Sequence, residues 1–106
     1  MTKAEGVIGL ARKAGQLAVG TNGTLDAIRG NKAKLVLIAS DVSDNTRKLL
    51  TDKASFRHVP VEILPFGAEQ LGKLVGKLNT ASAAFLQDGF VISYQKAQTV
   101  YQEGEL

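Results

Sequence analysis

The sequence predicts an α/β fold, in which a three-layer α/β/α sandwich encloses a small and mainly parallel sheet. Stretches with helical spacing of apolar residues alternate with short apolar runs in the order α-β-α-β-α-β-α-β-α, which is typical of such sandwiches. Residues 35–39 are all apolar, as expected of a strand that is covered on both faces. The chain has 106 residues, which is enough for one layered core and too few for two. We therefore expect a single domain over residues 1–102 and a frayed tail at residues 103–106.

The first part of the chain predicts a helix, a strand and a second helix ahead of the strand at residues 35–39. Apolar residues recur at helical spacing over residues 3–14, and Thr2 is in place to cap this first helix. A short strand at Leu17–Val19 and a second helix over residues 21–29 follow. Together with the next strand they form a βαβ-like unit, on which the organisation of the whole chain is expected to depend.

The joint between the strand and the helix of this unit is Gly20-Thr21-Asn22-Gly23. The two glycines allow the backbone to turn sharply and to approach a ligand closely, and Thr21 or Asn22 can cap the helix. Backbone N–H groups are exposed at a helix start and favour anionic ligands, so a ligand site is expected here. A capped helix behind a tight turn explains the same four residues without any ligand, so local chemistry leaves both interpretations open.

The middle of the chain predicts a third helix and an edge strand. The helix starts at Ser43, its cap, and continues through Phe56. Leu49, Leu50 and Phe56 are at positions expected to face the core. The strand over residues 59–64 contains a proline, and it is therefore expected near an edge of the sheet.

The last part of the chain predicts a helix, a strand and a final helix. The fourth helix follows a Pro-Phe-Gly turn and extends to Leu78. Within it, Gly72 and Gly76 lie one turn apart and allow a neighbouring element to approach closely. A small apolar strand at residues 81–86 follows. The segment after it is expected to be a helix because its aromatic and alanine residues keep helical spacing.

Charge is distributed unevenly along the chain. Residues 1–58 contain ten Lys and Arg against five Asp and Glu, a net charge of +5, whereas residues 59–106 contain three against five, a net charge of −2. A basic first half favours a polyanionic partner. A solvated surface that carries lysines accounts for the same charge, so charge alone does not decide between the two.

Composition argues against metal, disulfide and membrane chemistry. The chain has no cysteine, its single histidine is His58, and its acidic residues are scattered singly, so neither a metal site nor a cofactor is expected. No apolar run approaches the ~20 residues that span a bilayer. We therefore expect a soluble, cytoplasmic protein without a membrane partner.

An enzyme is not expected either. No spacing assembles a nucleophile, a base and an acid, and His58 is expected at the surface or at a helix end. The pairs Gly72-Lys73 and Gly76-Lys77 are each followed by leucine, where a phosphate-binding loop needs Ser or Thr. We therefore expect no catalytic residues and no small-molecule substrate.

Several separated blocks resemble the ribosomal kink-turn-RNA-binding family of L-seven-Ae and L-thirty-e proteins, and particularly its bacterial ribosomal-protein-like branch. The blocks are Gly-Leu-Ala-Arg-Lys-Ala-Gly at residues 9–15, Gly20-x-Asn22, Lys-Ala-Lys-Leu-Val-Leu-Ile-Ala-x-Asp at residues 32–41, His-Val-Pro-Val at residues 58–61 and Leu-Gly-x-x-x-Gly at residues 71–76. The resemblance implies an α/β/α sandwich with a mixed sheet and no catalytic activity. It also implies that the start of the second helix enters the groove of a kinked RNA, while a loop before the last strand packs against a flipped-out base.

The resemblance extends to individual residues at the start of the second helix. Gly20 and Asn22 match the glycine and asparagine of the family, and Thr21 lies between them. Many members have Glu where this chain has Gly23, and Lys where it has Asp26. Without these two contacts to guanine, weaker or altered kink-turn selectivity is expected.

The remaining site residues follow from the resemblance by position. They are Ser43 and Arg47 of the third helix, Lys77, Leu78 and Asn79 of the loop before the last strand, and Ser82 at the start of that strand. Arg29 and Lys32, which flank the turn into the next strand, are also expected to bind RNA. The leading hypothesis is a non-enzymatic, monomeric RNA-binding protein for structured or ribosomal RNA, associated with the ribosome. The alternative is a protein-interaction module that kept this fold and lost RNA readout.

Overall fold

The computed structural model describes the backbone of residues 1–103 and the side chains of residues 1–98. It contains helices and strands in the predicted order: α1 (Lys3–Lys13), β1 (Leu17–Val19), α2 (Gly20–Arg29), β2 (Leu35–Ile38), α3 (Asp44–Phe56), β3 (Val61–Ile63), α4 (Ala68–Val75), β4 (Ser82–Phe85) and α5 (Asp88–Glu103). Most of the expected tail, residues 104–106, lies outside the described residues. None of the helices described is both long and apolar enough to cross a membrane.

Side chains of the sheet alternate between two cores, one on each face. Leu35 and Leu37 of β2 pack with α1, α4 and α5, whereas Val36 and Ile38 pack with α2 and α3. Every residue of β2 and of β4 is buried. The predicted three-layer α/β/α sandwich is therefore confirmed, and so is the prediction that the apolar run of β2 is covered on both faces.

The sheet has the strand order β1-β4-β2-β3, with β3 at an edge as predicted. β4 runs antiparallel to both of its neighbours, while β2 and β3 are parallel. The mixed sheet implied by the resemblance is confirmed, and the prediction of a mainly parallel sheet is wrong. The loop between α4 and β4 is the reason: it returns along the helix, and the Thr80 N–H donates to the Ala68 carbonyl at 3.0 Å. The chain consequently enters β4 from the edge at which α4 begins.

Three helices have a side-chain oxygen at their N-terminus. Thr2 and Ser43 cap α1 and α3, as predicted, and each accepts a backbone N–H three residues later. Asp41, in the segment after β2, accepts the Ala68 N–H at the start of α4 at 2.8 Å. These acceptors satisfy N–H groups that have no partner within the helix.

The helix α2 begins in a different way. It starts at Gly20, directly after β1, and its N-cap residue Val19 makes no side-chain cap hydrogen bond. The prediction that Thr21 or Asn22 caps this helix is wrong, because Gly20 has a φ of 82° and turns the strand directly into the helix. Both residues therefore lie in its first turn. Since a side chain is strained at this φ, the joint requires glycine.

Three apolar residues expected in the core or within a helix lie at the surface. Leu49 and Phe56 are 40% and 74% exposed, whereas Leu50 and Ala54 of the same helix are fully buried. Leu50 and Ala54 are one turn apart on the face that packs against α2, and Leu49 and Phe56 are off that line. Leu78 is 91% exposed because α4 ends before it.

The loop after α4 packs closely on the helix at Gly72. A Cβ on Gly72 would lie 1.4 Å from the Leu78 carbonyl oxygen, and the Gly72 carbonyl accepts the Lys77 N–H at 2.8 Å. Gly76 has a left-handed φ of 72°, which ends the helix and starts this return. The predicted close approach is confirmed at Gly72, where the approaching element is the loop that follows the helix, whereas no atom lies within 4 Å of a Cβ added at Gly76.

The segment after β4 is the helix α5, as predicted. Its residue Tyr94 connects the helix to the edge of the sheet. Its hydroxyl donates to the Glu62 carboxylate of β3 at 2.5 Å, and its ring packs on Phe85 with 5.4 Å between the ring centroids. Burial, and then the hydrogen bond to Glu62, raises the pKa of Tyr94 well above its ordinary value. The hydroxyl therefore acts as a neutral donor.

We expect Gly72→Ala to lower the free energy of unfolding by about 3 kcal/mol, because the added methyl group overlaps a backbone carbonyl that cannot rotate away. Gly6→Ala in α1 is the matched control. No atom lies within 4 Å of a Cβ at Gly6, and alanine is favoured over glycine in a helix by about 1 kcal/mol. Urea unfolding followed by circular dichroism measures both variants. Equal stability of the two variants would contradict the close contact.

Candidate nucleic-acid interface

One edge of the sheet collects most of the segments that the sequence singles out. The strand register pairs Val19 with Ala83, and Ile38 with both Ser82 and Ile63, so β1, β2 and β3 end where β4 begins. We call this edge the helix-start edge, because α2, α3 and α4 begin there, each after the preceding strand. The loop between α4 and β4 arrives at the same edge.

The start of α2 presents backbone donors without a side-chain acceptor. Among the described residues, no side chain caps its first turn, in contrast to α1, α3 and α4. Asn22 is exposed, and Thr21 and Gly23 are half-buried. The free N–H groups and the positive end of the helix dipole attract an anion or another acceptor oxygen.

A buried hydrogen bond between two side chains holds this helix start on the sheet. Thr24 Oγ1 and Ser82 Oγ lie 2.8 Å apart, and both residues are fully buried. Ser82 is one of the predicted RNA-binding residues, but its side chain lies beneath the surface, where it positions α2. Thr24 was not among the predicted site residues. Its signal in the sequence is a threonine one turn before Ile28, on the face of the helix that points to the core.

Ser43 and Arg47 also lie at the helix-start edge, at the beginning of α3. Ser43 Oγ accepts the Thr46 N–H at 3.2 Å and donates to Thr46 Oγ1 at 3.0 Å, so its hydroxyl is engaged in capping. Arg47 forms a long ion pair with Asp44, with 3.9 Å between the charged atoms. Its buried Nε has no acceptor within the part of the chain that the structure describes. A guanidinium held this weakly is available to a ligand.

The loop between α4 and β4 carries three more of the predicted residues. Lys77, Leu78 and Asn79 are all exposed. The Leu78 backbone is fixed, because its carbonyl oxygen packs against the α-carbon of Gly72, while its side chain points into solvent. The loop therefore presents an apolar side chain from a rigid backbone.

Two of the predicted cations lie at the other end of α2. Arg29 is the last residue of the helix, about 14 Å along its axis from Gly20, and Lys32 follows it. Both belong to the opposite edge of the sheet, where β2 begins. Asp26 is exposed and pairs with Arg29 at 3.4 Å. The structure therefore does not bring these two cations around the start of α2, because the length of the helix separates them from it.

The chemistry of the helix-start edge suits binding. It combines backbone N–H donors, the exposed Asn22 amide, the Arg47 guanidinium and the apolar Leu78 side chain. Such groups can hold phosphate oxygens and the edges and faces of unstacked bases. Within the described residues, no three His, Cys, Asp or Glu side chains are grouped so that they could hold a metal ion. His58 lies in the turn after α3, at a helix end.

Known proteins share both the sequence and the fold. The profile of the ribosomal protein L7Ae/L30e/S12e/Gadd45 family matches residues 2–91. The RNA-binding protein YlxQ of Enterococcus faecium is 43% identical over 75 residues, which cover 71% of this chain and 72% of that protein. The large ribosomal subunit protein eL30 of Methanopyrus kandleri is 31% identical over 90 residues, which cover 84% and 83%. A solved structure of a protein with unknown function from Bacillus halodurans matches with a TM-score of 0.83 and 27% identity, over 92% of this chain and 97% of that one.

We expect Ser82→Ala to lower the free energy of unfolding by about 1–3 kcal/mol, because the Thr24 hydroxyl then stays buried without a partner. In Thr24→Val, it is the Ser82 hydroxyl that stays buried without a partner. The double variant should lose less than the sum of the two single losses, since no unpaired hydroxyl remains. Chemical denaturation of the four proteins measures this coupling. Strictly additive losses would show that the two hydroxyls do not interact.

Proposed function

The chain belongs to the ribosomal protein L7Ae/L30e/S12e/Gadd45 family, and on this premise we propose that it is a non-enzymatic RNA-binding protein that holds structured RNA at the start of α2. The Enterococcus relative is an RNA-binding protein, and the Methanopyrus relative is a protein of the large ribosomal subunit. The observation that carries the proposed site is the uncapped first turn of α2, at an edge where α3 and α4 have side-chain acceptors.

A bent RNA suits the proposed site better than a regular duplex. Backbone N–H groups reach acceptor oxygens only at short range, so the ligand must approach the first turn of α2 closely. In the proposed complex, the half-buried Gly23 allows that approach, and Asn22 contacts a base edge. The exposed Leu78 side chain lies against a base that has left the stack. A kinked RNA brings phosphates and splayed bases together in this way.

The proposed selectivity for kink-turn RNA is weak. Gly23 offers no carboxylate to guanine N–H groups, and Asp26, with 77% of its side chain exposed, places a negative charge one turn along the helix. Arg29 offsets part of this charge through its ion pair, but an exposed pair contributes little. Backbone donors therefore supply most of the proposed affinity, and they do not distinguish guanine from other bases.

We propose ribosomal RNA as the partner, with the protein acting as a monomer in the cytoplasm. Gly23 and Asp26 also support a second candidate, a protein-interaction module that kept the family fold. The two candidates differ in one measurable property, since a protein partner stays bound after nuclease treatment and an RNA-mediated one does not.

We expect the protein to bind a labelled kink-turn RNA at low salt and Asn22→Asp to bind it about tenfold more weakly, because the new carboxylate meets phosphate at the start of α2. Stability should stay unchanged or rise, since an acidic residue in the first turn of a helix is favourable. Ser93→Glu, on the exposed face of α5, is the control for a change of one charge. Fluorescence anisotropy at several salt concentrations measures the affinity.

Three results of this titration contradict the proposal. If the kink-turn RNA does not bind at low salt, the proposal of RNA binding is wrong and the protein-interaction module is favoured. If Asn22→Asp and Ser93→Glu lose the same affinity for the RNA, the start of α2 is not the binding site. Equal affinity for a kink-turn and a straight duplex leaves only an electrostatic interaction.

We expect Asp26→Lys to raise the affinity for kink-turn RNA by about tenfold, since it replaces repulsion by a contact to phosphate or guanine, and Gly23→Glu to add selectivity for guanine. A side chain fits at Gly23, where no atom lies within 4 Å of an added Cβ. Asp52→Lys on α3 is the matched control, because Asp52 is exposed and pairs with Lys48 at 3.2 Å, much as Asp26 pairs with Arg29. An equal gain in affinity for Asp52→Lys would show that the effect of Asp26→Lys comes from net charge and not from a contact at this position.

A further inference from the structure

We propose a second RNA-binding surface at the opposite edge of the sheet, which takes a single-stranded segment. This surface, the basic edge, consists of Arg29, Lys32, Lys34, Lys53, Phe56 and Arg57. It lies at the far end of α2 from the helix-start edge and shares no residue with the groups that carry the proposed kink-turn site there. The inference therefore goes beyond the proposed function, and it can be wrong while the proposed function holds.

The fold brings these residues together from two chain segments. α2 ends at Arg29 and leads into β2, while α3 ends at Phe56 and leads into β3, which pairs in parallel with β2. The two helices pack on the same face of the sheet, so their C-termini are neighbours. Arg57 joins them directly, because its guanidinium donates to the Arg29 carbonyl at 3.1 Å and to Asn31 Oδ1 at 2.9 Å.

Among the described residues, two of the five cations at the basic edge, Lys32 and Lys34, have no structural partner. Arg29 and Lys53 lie in the last turns of their helices, where cations stabilise the negative end of the dipole. Lys32 and Lys34 lie beyond the end of α2, so stabilisation of the helix dipole does not explain them. Both are exposed, and within the described residues neither has a carboxylate at salt-bridge distance. They are free to contact phosphates.

Phe56 gives this charged surface a flat apolar ring. The residue is 74% exposed, and the Arg57 guanidinium carbon lies 5.9 Å from the ring centroid. The two hydrogen bonds of Arg57 hold that guanidinium in place, and Asn31, one of its partners, has a left-handed φ of 58°. The ring therefore stands in a defined position beside a fixed cation, with most of its surface in water.

An exposed aromatic ring among unpaired cations is the combination that binds single-stranded nucleic acid. The cations contact the phosphates, and a base stacks on the ring without a requirement for sequence. A duplex keeps its bases stacked inside and makes no use of Phe56. An acidic protein uses the cations but gains nothing specific from the ring, so single-stranded RNA is the partner that uses both features.

The test is the binding of a labelled oligouridine of about ten nucleotides, which has no kink-turn. We expect Lys32→Glu/Lys34→Glu to weaken binding by about tenfold or more and to reduce the salt slope by about 1.4, the value for two phosphate contacts on a single strand. Phe56→Ala should weaken binding by about tenfold with the salt slope unchanged, which a purely electrostatic role does not produce. Lys73→Glu/Lys96→Glu, on the helices of the other face, is the control of equal charge. Asn22→Asp should leave oligouridine binding unchanged.

Four outcomes overturn the second surface. They are no binding of oligouridine by the unaltered chain, a loss in the control pair as large as in Lys32→Glu/Lys34→Glu, no loss in Phe56→Ala, and competition by polyglutamate as effective as by RNA of equal charge. Kink-turn binding measured in parallel separates the two proposals, because failure at the basic edge leaves the Asn22→Asp effect intact, and failure at α2 leaves the Phe56→Ala effect intact. All the substituted side chains are exposed, and circular dichroism of each variant confirms that it is folded.

Discussion

The direct passage from β1 into α2 constrains everything around it. Gly20 adopts a φ that other residues avoid, so the helix begins without a loop and without a capping side chain. One turn later, the hydrogen bond between Thr24 and Ser82 ties the helix to β4, and β4 lies between β1 and β2. The exposed first turn therefore stands on the most buried part of the sheet. A free helix start is usually the part that frays, and here buried contacts hold it.

Local features of the chain were predictable because they depend on neighbouring residues. The order of the elements, the caps Thr2 and Ser43 and the buried strand β2 follow from periodicity and from the preferences of single residues. The direction of β4 was not predictable in this way. It depends on the return of a loop along α4, and that return depends on a backbone contact at Gly72. No periodic pattern contains this information.

The candidate site shows the same division. The glycines mark the start of α2 in the sequence, whereas the place of every other member depends on the fold. Ser82 is buried because β4 is an interior strand, and Arg29 and Lys32 are distant from Gly20 because the length of α2 separates them from it. Charge counted along the chain gives a basic first half, but five of its ten Lys and Arg residues lie where α2 and α3 end. Attraction at the start of α2 rests on backbone dipoles instead, which net charge does not record.

The packing of Leu78 on Gly72 has a consequence for the thermodynamics of association. A loop that is disordered in the free protein loses conformational entropy when it binds, and this loss weakens the complex. Here the backbone of the loop is already held by α4 before any partner arrives. The conformational entropy of this loop is lost when the protein folds and not when a partner binds, so a complex formed at this edge is weakened less by loop ordering.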